Sequence, residues 1–247
     1  MINTVVSTLL HRLEAGIGSA DYQLLLPLHQ LRKETGSGFH SIIIAAGPAT
    51  PTLAELHLGI RIDVVEDLVY QFTSGLAGYG PHSTTLIASA GRVQGVPYWR
   101  YELSKPDDCA AVARQMSEFL EAAGFLFLQK YQRIEALDAL FNGEPQQKLL
   151  LLPNLLHRSL RGVVLAKLTQ RSRWEQLVGS YRDQLMRRGT PEPMMKRYAL
   201  LTHHLRNFSV NEWSAACGLI FKQVGTAGLR AGHRLLKAPG FYVGLVA

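Results

Sequence analysis

His57, Asp63, Glu66 and Asp67 crowd one short stretch of the chain. An imidazole close to several carboxylates is the material of general acid–base chemistry. The same residues have a structural use. Asp63 followed by Glu66 has the spacing of a capping box, which holds the first turn of a helix. That use accounts for the carboxylates and leaves His57 on a face turned to water. It is the reading we carry forward. His203 and His204 are adjacent, and neighbouring helical residues point about 100° apart, so they do not converge on one metal ion. The chain has neither a His-x-x-x-His nor a Cys-x-x-Cys spacing, so no metal ligand set emerges.

Two glycine-rich stretches invite a phosphate-loop reading. Gly36-Ser37-Gly38-Phe39-His40-Ser41 lacks a third glycine and leads into a strand rather than a helix, so it reads as a hairpin turn. Gly75-Leu76-Ala77-Gly78-Tyr79-Gly80 follows a helix and fails the same test of context. There is no Gly-x-Ser-x-Gly. The sequence therefore yields no catalytic, cofactor-binding or metal-ligating residue, and no cofactor is implied.

The elements that would position any site read as strands first and helices after. Residues 4–15 carry Val5, Val6, Leu9, Leu10 and Leu13 on one face, with Asn3 as cap. Residues 21–35 read as extended, with a bend at Pro27. The turn Gly36-Ser37-Gly38 leads into the isoleucine-rich strand Phe39–Ala45. Leu53–Ile62 alternates cleanly. Leu56, Leu58, Ile60 and Ile62 point one way, and His57, Gly59 and Arg61 point the other. One buried and one exposed face is the antiparallel habit, so His57 and Arg61 are expected on an exposed sheet face. Asp63 opens a helix through Phe72. Residues 73–97 are weakly specified, with a further strand over 84–90.

The segment 97–142 reads as strand, helix, helix. Ser104 is the expected cap of the first helix, and Cys109, Val112, Met116, Phe119 and Leu120 form its apolar stripe. Gly124 is expected to close it. The second helix is expected through Tyr131, Ile134, Leu137 and Phe141. Three amphipathic helices then begin at Asn154, at Ser172 with Glu175, and at Thr190-Pro191, giving an antiparallel helical layer. Beyond residue 211 the periodicity fades among scattered glycines.

The fold class is accordingly α+β: an antiparallel β-meander packed by helices and followed by a C-terminal helical layer. Residues 1–145 make the sheet domain, and residues 146–211 a helical layer packed on the same domain. Residues 212–247 make a Gly-rich extension, either loosely structured or foreign to the fold.

Charge is unevenly placed. Residues 1–156 carry 11 Lys and Arg against 15 Asp and Glu, whereas residues 157–206 carry 11 against 3. Arg158, Arg161, Lys167, Arg171, Arg173 and Arg182 head the basic helical region. They form a candidate surface for an acidic protein partner or for the phosphates of a nucleic acid. The bland alternative is that one half of the molecule neutralises the other. Trp174, Tyr181 and Tyr198 sit on apolar faces, so base stacking is not indicated. Two cysteines give no disulfide framework, and Cys109 reads as a buried thiol in a reducing, cytoplasmic setting. The N-terminus lacks the basic region of a signal peptide. No apolar run reaches the ~20 residues of a membrane span, so no membrane partner is expected.

The front half resembles a family of bacterial domains of unknown function that begin with an amphipathic helix, a β-meander, and a strand followed by a helix pair. The resemblance is carried by Phe39–Ile62 with its following helix to Phe72, by Tyr98-Trp99-Arg100-Tyr101, by Phe125–Lys130 and by Leu137–Asn142. Residues 155–206 are similar to the Arg- and Ala-rich helical tails that follow in that family. Such domains are also similar to immunity-type proteins of bacterial toxin systems, which bind and block a toxin. The resemblance implies a non-enzymatic, protein-binding module and supplies no catalytic residues. A nucleic-acid binder using helices 155–206, and an enzyme whose site assembles from distant residues, are the alternative expectations.

Overall fold

The computed structural model describes residues 4–18, 21–47, 51–73, 78–96, 98–105 and 107–209. The expected Gly-rich extension over 212–247 lies outside the described residues. Met1–Leu205 forms one compact unit, and a second begins at Arg206. Only residues 206–209 of the second unit are described.

The fold is α+β and is built on an antiparallel sheet. β1 (Gln23–Leu25) and β2 (Gln30–Thr35) pair as a hairpin, as do β2 and β3 (Gly38–Ala46), then β3 and β4 (Thr52–Ile62). A single 3-10 turn, Leu26–Leu28, separates β1 from β2. Pro27 sits in its first turn, and His29 follows in the left-handed region at φ 50°. The extended segment expected over 21–35 is therefore two strands. Proline, which cannot donate to a ladder, marks the fold between them.

β4 is the longest strand and the hub. Its free edge takes two short strands end to end: β5 (Leu86–Ser89) along His57–Ile60, and β6 (Tyr101–Leu103) along Thr52–Ala54. They act as one lane interrupted by an excursion that holds the short helix α3 (Ala90–Val93). The excursion closes tightly. Val96 N donates to Gly91 O at 2.8 Å, and a Cβ at Gly91 would press on the backbone of Trp99 and Val96.

The inner face follows the alternation. Leu56, Leu58 and Ile60 of β4 and Ile42 of β3 are fully buried, as is Leu31 of β2. Burying each such side chain contributes about 1.5–3 kcal/mol relative to exposure. Helix α1 (Thr4–Gly16) buries Val6, Leu9, Leu10 and Leu13, and packs on the sheet and on α4 (Asp108–Phe119). The Cys109 thiol of α4 is buried, and it lies 3.8 Å from Val5 O of α1.

Gly124 does not end this helix. It keeps helical dihedrals, φ −62° and ψ −49°, and closes a π-helical turn, Leu120–Gly124, that runs straight into α5 (Phe125–Tyr131). The chain breaks only after Tyr131, and α6 (Ile134–Asn142) begins anew. Ser104 is not the cap either. Its hydroxyl turns to Glu102, and the Asp108 carboxylate instead accepts from the backbone N–H groups of Ser104 and Lys105, both at 2.9 Å.

The helical layer comprises α7 (Leu155–Leu168), α8 (Trp174–Arg187) and α9 (Glu192–Asn207). Asn154 caps α7 as expected, its side chain accepting from His157 N at 3.0 Å. Ser172 does not cap α8. That helix is entered through Arg173 at φ 62°, with no side-chain cap bond. α7 packs between α6 and α8 and also against α2 (Asp63–Tyr70), the helix that follows β4.

A polar knot fixes the layer. The Tyr181 hydroxyl lies 2.8 Å from Phe141 O and 2.9 Å from Asn142 Oδ1. Asn142 Nδ2 donates to Asp138 Oδ1 at 2.7 Å and to Gly162 O at 2.8 Å. A Cβ at position 162 would strike Asn142 Oδ1, which explains a glycine in mid-helix.

Candidate functional site

The outer face of the sheet carries the polar partners of the alternation. Cross-strand register sets its rows: Phe39 with Arg61; then Arg32, Ser41, Gly59 and Ile87; then Gln30, Ile43, His57 and Ser89. The sequence predicts this face to be exposed. Only half of it is.

At the Arg61 end the face is closed. Arg61 is 5% exposed. Its Nε meets Asp63, its Nη2 donates to Asp67 Oδ1 at 2.8 Å, and its Nη1 donates to Gly80 O at 2.8 Å, Ser83 Oγ at 2.8 Å and Ser83 O at 3.1 Å. Expected in solvent, Arg61 is instead a buried hub. The physical reason is the segment 78–85, which folds back over this end and presents its carbonyls to the guanidinium. The Thr84 methyl lies over Gly59, where a Cβ would collide with Ser41 Oγ. Asp63 is thereby engaged with Arg61, and Ile62 rather than Asp63 stands at the helix cap.

Glu66 does not reach back as a capping-box partner. It is 1% exposed and pairs in bidentate fashion with Arg161 of α7, at 2.8 Å and 2.7 Å. Burial raises its carboxyl, but the Arg161 guanidinium outweighs that and holds it below the usual range. His157, one turn before Arg161, has its Nε2 3.0 Å from Thr85 O, and burial pushes its pKa down to about 4. It is neutral at physiological pH.

At the other end the face is open. His57 and Glu55 are half-buried, with His57 Nε2 3.3 Å from Glu55 Oε2. Arg100, nearly half exposed, donates to Glu55 Oε1 at 2.6 Å and lies 5.5 Å over the Tyr98 ring. The hydrogen bond from Arg100 is the main reason that Glu55 stays below its ordinary pKa. Burial lowers His57, partly offset by Glu55. Beside this group Leu53 is 41% exposed and Tyr98 76%; Ile87, across from Gly59 in the middle of the face, is 38% exposed.

The six basic residues of the helical region are not gathered into one surface. Arg158 is 2% exposed and donates to Phe141 O at 2.8 Å, Gln147 O at 2.6 Å and Glu144 O at 2.9 Å, satisfying carbonyls at and beyond the end of α6. Arg161 meets Glu66, and Arg171 meets Asp138 at 2.7 Å. Lys167 lies 5.3 Å over the Trp174 ring. Arg173 and Arg182 are exposed, and Arg182 meets its neighbour Asp183 at 3.1 Å. The charge asymmetry between front and back is thus partly internal. Two of its arginines neutralise acidic residues of the front half across 95 and 33 positions of sequence.

Sequence reasoning missed Arg32, His82, Glu55 and Arg100. Glu55 was legible as the partner of His57, two residues along one strand face. Arg100 and His82 were not, because they arrive from irregular segments. The described residues hold no group of three or more His, Cys, Asp or Glu able to bind a metal ion, and none of their helices is long and apolar enough to cross a membrane. Comparison with protein-family models, with curated proteins and with solved structures gives no match. What fold and face define is an α+β protein with a half-covered sheet.

Proposed function

We propose that this protein is a non-enzymatic binding module that docks a protein partner on the open half of its outer sheet face. The observation that carries this reading is the exposed Leu53 and Tyr98 beside the Glu55–Arg100 pair. Tyrosine and arginine with aliphatic neighbours on a rigid sheet are the composition of an interface centre, and exposed apolar groups clustered within a polar rim mark interaction surfaces. The resemblance to immunity-type proteins extends the reading to a bacterial, cytoplasmic factor that binds and blocks a toxin. The nucleic-acid alternative retains fewer cations, since Arg158, Arg161 and Arg171 are engaged inside the fold.

The test compares the wild-type chain with a Leu53→Asp/Tyr98→Asp double variant as baits, with circular dichroism checking the fold. A stoichiometric protein retained through nuclease and salt by the wild type, and released by the variant, is the expected result. Equal capture by both, or nucleic acid that salt removes, overturns the reading.

A further inference from the structure

The stretch Leu149-Leu150-Leu151-Leu152-Pro153-Asn154-Leu155-Leu156 holds six leucines in eight positions. Leu152 alone among them is buried. Its N–H donates to Leu149 O at 3.1 Å, and the two residues form an isolated antiparallel bridge. Leu150 and Leu151 therefore hold the corner of a tight turn. Such corners ordinarily take Gly, Pro, Asn or Asp. Here Leu150 is 44% exposed and Leu151 half-buried, and Leu149, Leu155 and Leu156 are half-buried as well. Consecutive apolar side chains left in water are kept where something covers them.

The turn is firmly mounted. Arg158 donates to Glu144 O at 2.9 Å and to Gln147 O at 2.6 Å, which fixes the chain leading into it. Gln146 Nε2 donates to Ser180 Oγ of α8 at 2.6 Å. Directly after the turn, Asn154 caps α7. The apolar corner is thus fastened to the basic helical layer. Arg158, Arg161 and Arg171 are engaged inside the fold. Eight of the eleven basic residues of 157–206 remain, against the carboxylates of Glu175, Asp183 and Glu192. Within the loop itself Glu144 and Lys148 offset each other.

Chemistry and size decide between occupants. A globular partner or a second copy needs an interface of about 20–30 residues a side. Its energetic centre is made of Trp, Tyr and Arg, among which Leu is under-represented. The corner is small and wholly aliphatic. A hydrocarbon layer asks only for aliphatic side chains at an exposed tip, and anionic headgroups attract a basic mount.

We infer that the leucine turn 149–152 seats in the surface of an anionic bilayer. Leu150 and Leu151 enter the boundary between headgroups and acyl chains, and the basic helical layer is drawn to the lipid charge. The turn is far too short to cross. The expectation of no membrane partner rests on the length of apolar runs, which bears on spanning and not on a surface contact. One shallow apolar corner assisted by charge gives reversible binding. The site is separate from the Leu53–Tyr98 strip and does not rest on it.

The test floats the full chain with vesicles of phosphatidylcholine alone and of phosphatidylcholine with one quarter phosphatidylserine, at low and high salt. The wild type is expected to float with the anionic vesicles, less so at high salt, and to stay behind with phosphatidylcholine alone. Leu150→Ser/Leu151→Ser removes the apolar corner without altering charge, and is expected to weaken binding about tenfold or more. Leu150→Trp keeps the corner apolar and reports on it. Its added emission is expected to shift to the blue on anionic vesicles and to be quenched by brominated acyl chains. Absence of flotation, equal flotation of the wild type and the serine variant, or equal flotation on both lipids overturns the proposal. So does a wild-type dimer, sedimented without lipid, that the serine variant loses, because a second copy then covers the corner. Leu150→Trp emission that vesicles leave unmoved overturns it too, and keeps it falsifiable where circular dichroism shows the serine variant misfolded.

Discussion

The two ends of one sheet face have opposite fates although a single strand supplies both. Toward its C-terminal end β4 places Arg61 under the segment 78–85, with each nitrogen of its guanidinium engaged and 5% of the residue exposed. Six residues earlier the same face holds Glu55, paired with an Arg100 that is nearly half in solvent. Both are arginine–carboxylate groups. Coulomb attraction in water is worth little, whereas a desolvated pair is expensive to break because a charge is left stranded. The closed end therefore holds the molecule together, and the open end is free for other work.

That contrast is broken most sharply at the joint behind the closed end. Arg161→Ala strands the Glu66 carboxylate at 1% exposure, and the expected loss of unfolding free energy in urea is about 3–5 kcal/mol. A loss below 1 kcal/mol would mean that the closed end is no stronger than the open one.

The next effect is on pH. His40 is buried and His157 half-buried, and desolvation pushes the pKa of each down to about 4. For His40 the cause is burial and then Lys33; for His157 it is burial and then Arg161. The unfolded chain protonates such groups near the ordinary 6.5. Between about 6.5 and 4 the unfolded state therefore binds protons that the folded state refuses. Stability is full above that window and falls within it, by about 1.4 kcal/mol per pH unit for each histidine. His157→Phe is expected to remove roughly half of that slope, read from denaturation curves between pH 4.5 and 7. The smallest effect is at the open end. Arg100→Ala is expected to cost under about 1 kcal/mol, and Tyr98→Ser to stay within about 0.5 kcal/mol. A larger loss there would show that the strip is held as tightly as the Arg61 end.

Much of this fold was legible, because alternation and helical spacing are local. Leu56, Leu58 and Ile60 gave the inner face, Gly36-Ser37-Gly38 the hairpin, and Leu160, Val163, Tyr181, Leu201 and Leu205 the apolar stripes of the helical layer. The site was far less so. Alternation says that Arg61 leaves the core side, but not that residues 78–85 will cover it. A capping-box spacing describes Asp63 and Glu66 equally well whether they hold a helix end or an arginine 95 residues away. Gly124 carries a helix-stop signal that a π-helical turn overrides, as packing of Leu120 and Phe119 keeps the chain helical. Basic residues in a run looked like one surface, yet Arg158, Arg161 and Arg171 are each taken up by a partner within the fold.

The shared lane of β5 and β6 has a consequence for how this chain can vary. Pairing with β4 sets the register before the excursion and sets it again after, so residues 90–100 form a parenthesis within the sheet. Length can change inside that parenthesis without shifting a single ladder position on either side, since lengthening a loop costs only about 0.6 kcal/mol per doubling. Tyr98 and Arg100 lie at its closing end, beside the open strip. The arrangement is that of a fixed frame bearing one exchangeable loop, and what the strip recognises can be rewritten there while the frame is left as it stands.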